Sequence, residues 1–167
     1  EHIASLMKVP GAELLFGGAP LSGHSIPDCY GAFEATAVEV PIAEVCGDHF
    51  ELITTELFGP FQVIVRYGDD ELHRVLDALE RMSHHLTAAV VSADVEFQNR
   101  VLSATVNGTT YCGMRARTTG APQNHWFGPS GDPRAAGIGT PEAIISTWSG
   151  HREIIFDQGA LATDWAT

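Results

Sequence analysis

Between residues 61 and 108 the spacing of apolar positions changes several times, and each change predicts an element. Phe61 to Tyr67 is β-branched and apolar, bounded by Pro60 and Gly68, and predicts a strand. Leu72, Val75, Leu76, Leu79 and Met82 follow at i, i+3, i+4, i+7 and i+10, one face of an amphipathic helix, with Asp69 or Asp70 available as its cap. LTAAVVSA, residues 86–93, is almost wholly apolar and reads as a strand covered on both faces. Asp94 then caps a second helix carrying Phe97, Val101 and Leu102, and TVNG, residues 105–108, is a brief third strand. Strand, helix, strand, helix, strand with short connections predicts an α/β fold: an open, mostly parallel sheet with flanking helices and right-handed crossovers.

The flanks extend this pattern. LLFGG and FEATAVEV read as two further strands separated by a Gly/Pro-rich turn. Ahead of them, EHIASLM places Ile3, Leu6 and Met7 at helical spacing without an initiator Met, which reads as the tail of a helix in a C-terminal piece of a longer chain. PEAIISTW opens with Pro141 at a helix-starting position. HREIIFD alternates and then runs apolar, which suits a late strand, and the tail beyond Gly159 is small and polar.

One stretch has almost no periodicity. Residues 118–140, TTGAPQNHWFGPSGDPRAAGIGT, hold five glycines, three prolines and two aromatics. A compact domain rarely keeps so long a loop unless it binds or shapes something. It follows the third predicted strand, just past Asn107-Gly108, on the side of an open α/β sheet where ligands bind.

Composition narrows the partners. The length of 167 residues suits one ordinary domain, and 44% apolar with 18% charged residues is the balance of a globular protein. A net charge of −12 argues against a nucleic-acid partner and against an anionic membrane surface. No apolar run approaches the ~20 residues of a membrane span, and no signal-peptide pattern opens the chain. Cys29, Cys46 and Cys112 have no metal-binding or disulfide spacing, which favours an intracellular compartment.

Several residues carry chemistry under more than one reading. His84 and His85 are adjacent, so in a helix they diverge by about 100° and do not chelate; no metal site is expected. Cys112 near the long loop is either a thiol nucleophile paired with His125 or a small buried hydrophobe. Gly137-x-Gly139 lacks a leading strand and a third glycine, so it is a weak dinucleotide fingerprint. Glu56 in ELFGP is either a carboxylate whose two oxygens match a vicinal diol or an exposed residue at a strand entrance, the second being favoured by the residues alone. Arg115 and Arg117 either attract an anion or pair with surface carboxylates. Trp126 and Phe127 either wall a small pocket or staple the loop to the core.

TTELFGPFQVIVRY, LTAAVVSAD and VNGTTYCG together resemble the C-terminal half of the catalytic domain of NAD(P)-dependent aldehyde dehydrogenases. NGTTYCGMRARTTGAPQNHWFGPSGDPRAAGIGTPEAI with HREIIFD resembles, within that superfamily, the plant-type delta-1-pyrroline-5-carboxylate (glutamate γ-semialdehyde) dehydrogenases. The resemblance implies a partial catalytic domain over 1–150, an oligomerisation strand over 151–158 and a loose tail over 159–167. It implies NAD as cofactor, a small semialdehyde substrate oxidised in proline catabolism, and a homo-oligomer. The compartment would be the mitochondrial matrix in a eukaryote or the cytoplasm in a bacterium. It reverses the preference at Glu56, which with Phe58 becomes the cofactor contact at the nicotinamide ribose and ring. Gly120 and Ala121 become the backbone anchor for the substrate carboxylate, and Phe127 the aromatic wall. The nucleophilic Cys and the general base of the family fall upstream of ELFGP, so no catalytic residue is expected among these 167 and Cys112 is not the nucleophile.

Overall fold

The computed structural model describes residues 1–27, 29–117, 124–128, 136–156 and 158–160. The chain begins with the short helix α1 (His2–Leu6), followed by the strands β1 (Glu13–Phe16) and β2 (Thr36–Glu39). The connection between them is long, so an antiparallel pair here needs a sharp exit from β1. Gly17 supplies it at φ +73°, where a side chain would collide with the Ala35 carbonyl. Thr36 seals the junction: its buried hydroxyl accepts from Gly18 N–H at 2.9 Å and donates to the Glu34 carbonyl at 2.8 Å. A buried hydroxyl with both capacities used avoids the penalty of an orphaned polar group.

Two single-turn helices, α2 (Ile42–Cys46) and α3 (Phe50–Thr54), lead into β3 (Phe61–Ile64). β3 pairs in parallel with β2 from Thr36↔Phe61 to Glu39↔Ile64, giving a mixed sheet in the order β1-β2-β3. Arg66 Nε donates to both carboxylate oxygens of Glu39 at 2.9–3.0 Å, tying the chain just beyond β3 to the end of β2. Beneath this sheet Leu6, Val38, Val40, Val45, Phe50 and Ile53 form the first core.

After a 3-10 turn (Asp69–Glu71) comes α4 (Leu72–Arg81), then β4 (Thr87–Val90), α5 (Val95–Ala104), β5 (Thr109–Cys112) and α6 (Pro141–Trp148). The amphipathic face read from the sequence divides its work. Ala78, with Val75 and Met82, packs into the first core, while Leu72, Val75 and Leu76 join Val90, Phe97 and Val101 in a second. α5 opens as expected, with Asp94 Oδ1 accepting from the backbone N–H of Glu96 and Phe97 at 2.8 and 3.2 Å. Thr140 caps α6 by accepting from Ala143 N–H at 3.2 Å, with Pro141 at its first turn.

Four details differ from the pattern-based reading. The expected single sheet is divided among the described residues: β4 and β5 form a separate parallel pair, and β3 ladders to β2 instead. The third strand lies at 109–112 and not at 105–108, because the ladder to β4 begins only where Gly108 N–H reaches His85 O and Thr109 N–H reaches Leu86 O. LTAAVVSA is not covered on both faces, since Ala89 and Val91 are exposed. Neither Asp69 nor Asp70 caps α4. They lie inside the 3-10 turn, which Glu71 Oε2 closes by accepting from Gly68 N–H at 3.0 Å, and Glu71 stands at the start of α4 without a side-chain cap bond to it. Residues 151–156 have no strand partner among the described residues, and Ile154, Ile155 and Phe156 are exposed. Residue 157 and residues 161–167 lie outside the described residues.

Glu71 carries the pH dependence of this junction. The hydrogen bond from Gly68 N–H is the main reason its carboxyl lies below the ordinary value of 4.5; burial opposes it, and the guanidinium of Arg74 at 2.8 Å adds to the lowering. A lowered folded value contributes stability above the ordinary value and loses it as pH falls through the folded one. Glu71→Gln, measured by urea unfolding across a pH series, is therefore expected to destabilise the protein at pH 7. The difference from the parent should shrink below the ordinary value of 4.5. A difference independent of pH would mean that the carboxylate charge is not what the turn uses.

Candidate functional site

The first candidate region is the turn 56–60, held at both ends. On the helix side, Thr54 and Thr55 close α3 by donating their hydroxyls to Phe50 O and Glu51 O at 2.8 and 2.6 Å. Thr55 then turns the backbone extended, with φ −62° and ψ 119°. On the strand side, Phe61 N–H reaches Gly59 O and Thr36 N–H reaches Pro60 O, both at 2.8 Å. Between these fixed ends Glu56 and Phe58 point outward. Glu56 is exposed and has no hydrogen-bond or ion-pair partner among the described residues. Phe58 is 97% exposed, the most exposed large apolar side chain described.

The two side chains line different clefts. Glu56 faces a cleft of about 480 Å³ with Thr54, Thr55, Arg81, Ser83 and His84 on its walls. His84 holds a left-handed φ of 60°, a conformation non-glycine residues seldom keep without support. Phe58 faces a cleft of about 300 Å³ with Phe33, Glu34, Thr36 and Phe61. Chemically the turn fits a nicotinamide riboside. An unpaired carboxylate accepts two hydrogen bonds from a vicinal diol, and an uncovered aromatic ring offers a flat apolar face.

The second region is the pair of loop limbs around β5. Alternation along a strand sets Thr109 and Tyr111 on one side, and both hold the returning chain. Thr109 Oγ1 donates to Trp126 O, and the Tyr111 hydroxyl shares a 2.7 Å hydrogen bond with His125 Nδ1. The Tyr111 and His125 rings also stack tilted, with centroids 5.5 Å apart. Phe127 is buried, bridges to Ile138, and accepts from Gly137 N–H through its carbonyl at 3.0 Å. Trp148 of α6 donates its indole N–H to Gly137 O at 3.0 Å. Gly139, at φ +95°, lies where any side chain would run into the His125 carbonyl. The glycines of AAGIGT therefore allow two limbs of the loop to approach closely.

These contacts decide between several of the readings taken from sequence. His125 is engaged by Tyr111, not by Cys112, which is exposed at the end of β5. The backbone carbonyl of Trp126 and the backbone of Phe127 tie the loop limb to β5 and to residues 137–139, which leaves the roles of the two rings undecided. Arg115 and Arg117 are exposed, and neither forms an ion pair among the described residues. Gly120 and Ala121, the expected carboxylate anchor, lie outside the described residues. Glu56 and Phe58 stand beside the first sheet and Phe127 beside the second. The Tyr111–His125 tie was not foreseen; its only sequence signal was the T-x-Y alternation of TTY ahead of an isolated His-Trp.

No family model matches the chain. Over 167 residues, 99% of the chain, it is 60% identical to the Arabidopsis thaliana protein named delta-1-pyrroline-5-carboxylate dehydrogenase 12A1, mitochondrial. It is also 60% identical over 166 residues to a probable aldehyde dehydrogenase of Linum usitatissimum. The chain spans 30% of the length of each of these relatives. Its fold superposes on betaine aldehyde dehydrogenase from Staphylococcus aureus, crystallised with NAD+, with a TM-score of 0.61 at 20% identity, covering 99% of this chain and 31% of that one. In sequence these 167 residues are similar to part of two proteins named as aldehyde dehydrogenases, and in fold to part of a third.

The exposed thiol of Cys112 and its separation from His125 lead to a direct expectation. Cys112→Ser in the full-length gene product should leave aldehyde oxidation within about twofold of the parent, since exposed substitutions without partners have small effects. Steady-state rates with an aldehyde substrate check it, and abolition of turnover would make Cys112 the nucleophile.

Proposed function

We propose that these residues are part of an NAD-dependent aldehyde dehydrogenase that oxidises glutamate γ-semialdehyde, formed from 1-pyrroline-5-carboxylate, to glutamate in proline catabolism. The observation that carries this reading is the 60% identity, over 99% of the chain, to a protein whose name gives that activity. Bound NAD supplies the hydride acceptor. With NAD bound, Glu56 would accept from the ribose hydroxyls with its two carboxylate oxygens, and Phe58 would offer an apolar face to the ring. Gly120 and Ala121 anchor the substrate carboxylate through backbone N–H groups, a donor set that binds an anion without burying a fixed cation. Phe127 forms the aromatic wall along the short aliphatic part. The thiolate nucleophile and the general base come from sequence upstream of ELFGP. Residues 151–158 pair with a second subunit in a homo-oligomer, which would cover Ile154, Ile155 and Phe156. The Arabidopsis relative is named mitochondrial, and the same compartment is proposed here for a eukaryotic source.

The test uses the full-length gene product and two aldehydes, glutamate γ-semialdehyde and a dicarboxylic semialdehyde lacking the amino group. The former is expected to give the higher kcat/KM; a clear preference for the latter would assign a different semialdehyde acid as substrate. In the same enzyme, Glu56→Gln is expected to lower kcat by roughly 100-fold, the cost of misplacing one reactant, with a smaller change in cofactor affinity. Weakened NAD binding at unchanged kcat would remove Glu56 from the ribose contact.

A further inference from the structure

Residues 125–127 leave β5 by a long path and return to it through side chains. From Cys112 to His125 the chain travels thirteen residues, yet His125 and Trp126 come back to the strand they left through two polar bonds. One runs from Thr109 Oγ1 to Trp126 O, and the other joins the Tyr111 hydroxyl to His125 Nδ1 at 2.7 Å. The other side of the same limb is fixed differently. Phe127 bridges to Ile138, and Gly139 sits directly against the His125 carbonyl with no room for a side chain. The limb is thus held between a strand that carries the polar bonds and a glycine segment anchored to α6 through Trp148 and Gly137.

We propose that Tyr111 and His125 are positioning residues for the substrate pocket: their bond sets where Phe127 stands and thereby the fit of a short acidic aldehyde. The inference rests on the assignment of Phe127 as the aromatic wall. The bond suits this task because it is short, couples two partly buried rings, and lies two residues from Phe127 along the chain. A ring nitrogen and a phenol oxygen meet in one direction only, so the contact fixes position as well as proximity, which apolar packing alone does not. The neighbouring Thr109 bond acts on the backbone at Trp126 and holds the same segment from the same strand. Neither group touches the reacting atoms, so the expected signature is in substrate affinity rather than in the chemical step.

The experiment uses the full-length gene product and compares Tyr111→Phe, His125→Ala, His125→Asn and Phe127→Ala. Tyr111→Phe removes one oxygen and keeps the ring, and His125→Asn keeps a hydrogen-bonding group near the position of Nδ1. Tyr111→Phe and His125→Ala are expected to raise KM for glutamate γ-semialdehyde about fivefold to tenfold, the scale of one net hydrogen bond. kcat should stay within about twofold, KM for propanal should hardly move, and His125→Asn should restore most of the lost affinity. Hydrogen exchange of a peptide spanning 124–128 should quicken in Tyr111→Phe and slow again in His125→Asn relative to His125→Ala. Equal losses for both aldehydes, or an unchanged KM with unchanged exchange, would overturn the positioning role. Phe127→Ala separates the two ideas. If it raises KM while Tyr111→Phe does not, the wall stands and the positioning pair falls. If Phe127→Ala leaves KM unchanged, the wall assignment itself falls and takes the pair's role with it.

Discussion

Everything in this structure is referred to a single helix. α4 presents Ala78, Val75 and Met82 to the core under β1-β2-β3 and Leu72, Val75 and Leu76 to the core beside β4 and β5. Val75 belongs to both contacts, so the two cores share a side chain although no hydrogen-bonded ladder joins the sheets among the described residues. Helix formation here is secured by burial on two sides, which is the usual source of helical stability in proteins. The geometry of each sheet relative to the other is then set by side-chain volume on α4. A truncation such as Val75→Ala would remove packing atoms from both cores at once, where a single core normally bears the cost.

The candidate site inherits this arrangement. The turn carrying Glu56 and Phe58 hangs from α3 and β3, both of which press on the first core through Phe50, Ile53 and Val63. The loop limb carrying His125 and Phe127 hangs from β5, whose partner β4 presses on the second core through Val90. Cofactor contact and substrate contact, as proposed, are thus borne by different sheets, and α4 is the element that registers them. Rigid elements hold reacting groups more precisely than free loops do, because their side chains are locked by packing. Even the segment 124–128, a loop in sequence, is held by polar bonds to β5 and by the close approach of Gly139.

How much of this could be read in advance follows from the range of each interaction. The apolar face of α4, the Asp94 cap and Pro141 at the start of α6 depend on neighbours three or four residues away, and the sequence pattern carried them. The division into two sheets depends on which strand finds which partner, a choice made between segments more than 20 residues apart and invisible to periodicity. The third strand was misplaced by four residues for the same reason: VNG reads as turn or strand equally well, and only the reach of Gly108 to His85 O decides it. The helices α2 and α3 went unseen because five residues are too few to complete a periodic signal. ELFGP and TTGA were legible only as words of a family, since an exposed Glu ahead of a Phe-Gly-Pro turn has an ordinary structural reading.

The distribution of exposed apolar surface gives the fold its functional direction. An isolated exposed hydrophobe needs no explanation, but large ones gathered on a few segments mark places where something else sits. Phe58 lies bare on the turn between Glu56 and β3, while Trp148, Ile155 and Phe156 lie bare at and beyond the end of α6. The turn is hydrogen-bonded at each end, and α6 is capped by Thr140 and tied by Trp148 to Gly137, whereas residues 151–156 beyond it have no strand partner among the described residues. A flat cofactor ring covers Phe58 in the proposed function, and a second subunit covers 154–156. The buried Phe127 is the counterpart of these exposed rings. It is fixed from behind by Gly139 and by its bridge to Ile138, and the limb that bears it is gripped at its neighbours, by Tyr111 at His125 and by Thr109 at Trp126.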